Sequence, residues 1–120
     1  MPAERPMVEL SDPEDVKIVG LARSTRARTR AEEGACVRDT DGRTYAGATV
    51  ALESLRLSAV QVAVAMAVSS GARGLEAVAV LGESGSARDT DLSVVRDFAG
   101  PGVTVLVADP DGAVLQSLTS

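Results

Sequence analysis

Gly34-Ala35-Cys36-Val37-Arg38-Asp39-Thr40-Asp41-Gly42-Arg43-Thr44-Tyr45-Ala46-Gly47, followed by the apolar run from Leu55 to Val68, decides the fold of this chain. Asp41-Gly42 is a turn signal between two short extended segments, 34–38 and 43–50, so the stretch predicts a β-hairpin. Residues 54–70 then carry Leu55, Leu57, Val60, Val62, Val64, Met66 and Val68 around most of a helical wheel, with only Ser54, Ser58, Gln61 and Ala65 forming a small or polar strip. Seventeen residues exceed an ordinary strand, so the run predicts a helix buried on most sides, ended by Gly71.

Outward from this centre the pattern alternates. Upstream, Ser11-Asp12-Pro13 is a helix start, with Glu14 and Asp15 favoured near the positive end of the dipole, and a first helix runs to about residue 28. Downstream, 75–81 is a nearly all-apolar strand of the kind buried on both faces. Residues 82–88 form a loop, Asp89-Thr90-Asp91 caps a short helix through Phe98, and Gly100-Pro101-Gly102 ends it. A buried strand over 103–107, a turn at Asp109-Pro110-Asp111-Gly112 and an edge strand over 113–118 complete the chain. The order α-β-β-α-β-α-β-β predicts an α/β fold: a three-layer α/β/α sandwich around a mixed five-stranded sheet. Residues 1–12, broken by Pro2 and Pro6, are expected to be a flexible lead-in to a single domain over 13–120.

Composition narrows the function. The formal net charge is −5, which argues against a nucleic-acid partner, and a chain with one Tyr, one Phe and no Trp has few platforms for stacking bases. The single cysteine, Cys36, excludes an intrachain disulfide and fits a reducing compartment. Histidine is absent, which removes the commonest catalytic base and the commonest zinc ligand together. No stretch reaches the roughly 18 apolar residues of a membrane span, and Met1 to Pro6 lacks the apolar core of a signal peptide, so no membrane association and a cytoplasmic location are expected.

Arg23, Arg26, Arg28 and Arg30 cluster at the end of the first helix, where cations suit the helix dipole and Glu32 and Glu33 stand close by. A solvated face explains them better than a phosphate patch. Gly82-Glu83-Ser84-Gly85-Ser86 has the composition of an anion loop, but it lacks the Walker spacing and its Lys. Ser84 and Ser86 have no His to activate them as nucleophiles.

The hairpin resembles that of the cytidine deaminase family, whose G-A-A-[VL] strand, D-G-[RK]-x-Y-x-G turn and second strand match Gly34 to Gly47 without a gap. The tail, Val103 to Val107 with a Gly112 turn and a last strand, is similar as well, and the likeness spans residues 13–118. The resemblance implies a zinc-activated water, a proton-shuttling Glu that is not a ligand, and a P-C-x-x-C turn supplying two thiolates. Thirteen residues after Gly47, where the family places its C-A-E motif, this chain has Val60-Gln61-Val62. Gly85 and Arg88 echo the family's P-C-G-x-C-R, but the thiolate positions hold Ser84 and Ala87. The N-[VI]-E set that reads the nucleoside is matched by Thr49-Val50-Ala51, the family's Phe before the hairpin by Ala31, and Cys36 stands at a plain Ala.

The resemblance therefore implies a degenerate former site at Thr49, Ala51, Val60, Val62, Ser84 and Ala87, with no catalytic residues, no metal and no cofactor. A structural zinc contributes on the order of 10 kcal/mol, and packing must replace it. Val60 and Val62, each worth about 1.5–3 kcal/mol when fully buried, are expected to fill the old pocket. The leading expectation is a non-catalytic protein (a pseudoenzyme) with a structural or interaction role. Like the commonly dimeric or tetrameric family, it would pair with itself through the central helix, with a further protein partner unidentified. The alternative is a nucleoside-like ligand sensor with a remodelled pocket, its wall including Thr49 and Glu53. An active deaminase is the third reading, opposed by the missing donors.

Overall fold

The computed structural model describes residues 8–120, so the expected lead-in over 1–12 lies outside the described residues as far as residue 7. Helix α1 (Pro13–Thr29) starts where Asp12 accepts the N–H of Glu14 at 2.8 Å, with Pro13 in the first turn, and it ends at Arg30 in the left-handed conformation. Strands β1 (Glu33–Asp39) and β2 (Thr44–Ala48) form the expected antiparallel hairpin. Its turn is tied by Asp39, whose Oδ1 accepts the N–H groups of Asp41 and Arg43 at 2.9 Å and whose Oδ2 accepts the Tyr45 hydroxyl at 3.0 Å. Burial disfavours an ionised Asp39, but these donors outweigh it and hold the carboxyl below its usual range.

The next segment differs from expectation. Residues 54–57 are not helical: β3 (Val50–Ala51) and β4 (Arg56–Leu57) pair as a two-stranded ribbon, turned by the Leu52 N–H to Leu55 carbonyl bond of 2.9 Å. The central helix α2 (Ala59–Ser69) begins later because Ser58 and Gln61 form a capping box, Ser58 Oγ accepting the Gln61 N–H at 3.1 Å and Gln61 Oε1 accepting the Ser58 N–H at 2.9 Å. Strand β5 (Leu75–Gly82), helix α3 (Asp89–Ala99) and strands β6 (Thr104–Ala108) and β7 (Val114–Thr119) follow the expected order.

The five long strands form one mixed sheet in the order β2-β1-β5-β6-β7, with β5 and β6 parallel and the other pairs antiparallel. The period-two alternation of each strand sorts its side chains onto two faces. Val37, Val78, Val80, Val105 and Val107 pack with Val60, Ala63, Val64 and Ala67 of α2 and Val95 of α3. Cys36, Ala77, Ala79, Leu81 and Leu106 pack with Ile18, Val19 and Ala22 of α1. The result is the expected α/β/α sandwich.

Two glycines permit the close helix–sheet approach. A Cβ at Gly34 would clash with the Ala22 carbonyl oxygen, and one at Gly47 would lie 2.7 Å from Val62 Cγ1. Across the α1 face, Arg38 is held by Asp15 and Glu76, both at 3.0 Å. Burial works against its charge, yet the two carboxylates keep its pKa above the usual value.

The central helix is not covered on every side. It buries Ala59, Val60, Ala63, Val64 and Ala67, whereas Met66 is 40% and Val68 49% exposed. No charged residue occurs from Leu57 to Ala72, so this outer face is uncharged.

Candidate functional site

The first turns of α2 and α3 meet at the end of β1. Ser58, the N-cap of α2, donates its hydroxyl to Asp91 Oδ1 at 2.6 Å. Asp91 sits in the first turn of α3, is 1% exposed, and leaves Oδ2 without a partner. Arg88, the N-cap of α3, donates from its guanidinium to the buried Glu33 carboxylate at 3.0 Å. Glu33 is itself fixed by Thr49, whose Oγ1 accepts the Glu33 N–H at 3.0 Å. Burial raises the Glu33 pKa above its ordinary 4.5, and the Arg88 charge offsets this only in part. Arg88 is correspondingly raised by Glu33.

Beside this junction opens a cleft of about 320 Å³. Thr49, Ser58, Gln61 and Thr90 give it hydroxyl and amide groups, Arg56, Arg88 and Glu32 give it charge, and Val50, Ala51 and Leu57 give it an apolar wall. The β3–β4 ribbon, absent from the sequence reading, forms that wall.

The six positions singled out by the resemblance fall in different places. Thr49 and Ala51 line the cleft. Val60 is buried under α2, and Val62 rests on Gly47 of β2. Ser84 lines a separate cavity of about 230 Å³ with Arg26, Glu32, Glu33 and Glu83, and Ala87 packs on the core. Val60 packs in the core between α2 and the sheet and Val62 against Gly47, and neither valine lines the cleft. The residues that meet across the site are Ser58, Asp91, Arg88 and Glu33. Of these, the sequence signals only the Ser58–Gln61 capping pattern and the Arg88 echo. Asp91, expected to cap α3, instead faces α2, and no side chain caps α3.

A model of the cytidine deaminase-like family matches residues 11–112. The chain belongs to that family. Among solved structures, cytidine deaminase from Burkholderia pseudomallei superposes with a TM-score of 0.76 at 22% identity, over 86% of this chain and 90% of that one. The Mycobacterium leprae cytidine deaminase gives 0.69 at 21% identity, over 90% and 94%. The Mycobacterium tuberculosis cytidine deaminase gives 0.68 at 24%, over 78% and 85%. At these identities the likeness carries the fold. A comparison with curated protein sequences gives no match.

Cytidine deaminase chemistry implies a zinc ion, and the donors present in this chain do not fit one. Val60 and Ala87 offer only hydrocarbon, Ser84 offers a neutral hydroxyl in place of a thiolate, and Cys36 lies on the opposite, α1 face of the sheet. Burial pushes the Cys36 thiol up to about 11, the reverse of what a thiolate ligand needs. Among the described residues no group of three or more His, Cys, Asp or Glu side chains has the geometry of a metal site. No described helix is long and apolar enough to cross a membrane.

Proposed function

We propose that this chain is a non-catalytic member of the cytidine deaminase-like family, a cytoplasmic pseudoenzyme that binds a small polar ligand in the cleft between the starts of α2 and α3. The observation that carries this reading is the pairing of Val60, buried and without a donor atom, with an open cleft at the start of the same helix that carries hydroxyl, amide and charged groups on an apolar wall. Thr90 and the Gln61 side-chain NH2 supply directional hydrogen bonds, and Val50, Ala51 and Leu57 supply a surface for an apolar body, the mixture a small-molecule site requires. Val60, Val62, Ser84 and Ala87 supply neither metal donors nor an acid/base group at the positions where the family resemblance places them, so binding is not followed by deamination. Metal analysis and a turnover assay with cytidine and deoxycytidine test this. The expected result is no stoichiometric zinc and no product; one zinc per chain, or turnover lost on substitution of Val62, overturns it.

A second reading, a structural role through self-association, is favoured by the outer face of α2. Met66 and Val68 are exposed on a helix without charge, and Leu52 and Leu55 are exposed on the neighbouring ribbon turn. Such surface is normally covered by a partner, and a second copy of this chain, in a dimer or tetramer, meets that need without a further protein. Light scattering is expected to give a multiple of 12.3 kDa at micromolar concentration; a monomer refutes it.

A further inference from the structure

We propose that the ligand of the cleft is a phosphorylated small molecule, its phosphomonoester held between Arg56 and Arg88. The inference rests on the ligand-binding reading above and adds the chemical class. Two guanidiniums and one carboxylate, Glu32, line the cleft, and Glu33 behind it pairs with Arg88, so the unpaired positive charge facing the cleft is that of Arg56. The two arginines are placed differently. Arg56 makes no ion pair or side-chain hydrogen bond among the described residues, so its donors are unused.

Arg88 is held in place from behind. Its Nη1 bonds Glu33, whose carboxylate is 4% exposed, while Nη2 stands 4.0 Å from the exposed Glu32 and half of the side chain remains open to solvent. A guanidinium anchored by a buried acid loses less freedom when it binds than a free one, and its planar fork suits phosphate oxygens. Glu33 and Asp91 lie behind Arg88 and Glu32 stands at the rim, so the face of the guanidinium turned to solvent is the one left for an anion.

The remaining lining explains why the ligand is an organic phosphate and not the free ion. Val50, Ala51 and Leu57 offer nothing to inorganic phosphate but cover a flat or aliphatic body, and about 320 Å³ is more than one phosphate needs. Thr90 and the Gln61 side-chain NH2 remain to bond polar groups on that body.

Calorimetric titration of the full chain with cytidine monophosphate, cytidine and inorganic phosphate tests the assignment. The first is expected to bind at least about tenfold tighter than either of the others, with affinity falling as salt rises. Arg56→Ala should weaken it by about tenfold with no change in melting temperature, since Arg56 is exposed and unpaired; Arg88→Lys should weaken it as well, because Lys keeps the charge but loses the fork. Equal binding of nucleoside and nucleotide overturns the phosphate assignment and leaves the ligand reading standing. Failure of all three to bind sinks both. Phosphate alone binding as tightly as the nucleotide, or an unaffected Arg56→Ala variant, overturns the proposal.

Discussion

The Ser58–Asp91 contact predicts a large energetic coupling between two residues far apart in sequence. Ser58→Ala removes three things at once. The cap of α2 goes, worth about 1 kcal/mol. The 2.6 Å hydroxyl-to-carboxylate bond goes, worth about 1.5–3 kcal/mol for a bond to a charged group. A buried Asp91 carboxylate is left with neither oxygen paired, because Oδ2 already has no partner. The single variant is therefore expected to lose about 3–4 kcal/mol.

Asp91→Ala removes the buried acid together with its only hydrogen bond, so it should cost less than Ser58→Ala. In the double variant the stranded charge is absent, and the loss should fall well short of the sum. The cycle should give a coupling of about 1.5–3 kcal/mol. Urea unfolding followed by far-ultraviolet circular dichroism measures it, since the chain has no Trp to report by fluorescence. Additive losses, with coupling below about 0.5 kcal/mol, would refute the reasoning and reduce Ser58 to a plain helix cap.

Two further outcomes follow from other parts of the structure. Gly47→Ala should destabilise by about 1–3 kcal/mol, because the new Cβ meets Val62 Cγ1 at 2.7 Å, and adding Val62→Ala should recover part of that loss; no recovery in the thermal midpoint would show that the backbone contact at the Ala63 N–H dominates. The raised Glu33 pKa means that the folded chain holds this proton more tightly than the unfolded one, so its contribution to stability is greatest at low pH and falls as pH climbs from 4.5 through the folded value. Asp39 has the opposite sign, stabilising above its ordinary 3.8 and losing that contribution as pH falls through its lowered value. Glu33→Gln should flatten the first slope of unfolding midpoint against pH, and Asp39→Asn the second.

The sheet and its helices were legible because each strand's alternation and each helix's end signals agree with the packing they serve. Val78 and Val80 face α2 while Ala77 and Ala79 face α1, which is what a strand buried on both faces demands. The start of α2 was misplaced because Leu55 and Leu57 continue the helical pattern, whereas the Ser58–Gln61 box fixes the boundary by hydrogen bonding. The cleft was not legible. Its wall is a ribbon of two residues per strand, too short for periodicity, and its charges depend on which way Arg56 and Arg88 turn. Asp91 read as a local helix cap, and only the approach of α2 converts it into a long-range contact.

That approach also accounts for how the fold holds without the donors its relatives' chemistry implies. A metal bridging α2 to the turn before α3 would restrain both helix starts at a single point. In this chain the Ser58–Asp91 bond links the same two helix starts directly, and the Arg88–Glu33 pair ties the second of them to β1. Val60 adds apolar burial beneath, worth about 1.5–3 kcal/mol. Polar cross-links, unlike a filled pocket, leave the space in front of them empty of side chains. The junction thus keeps a concave surface, with the Arg88 guanidinium already set in position upon it.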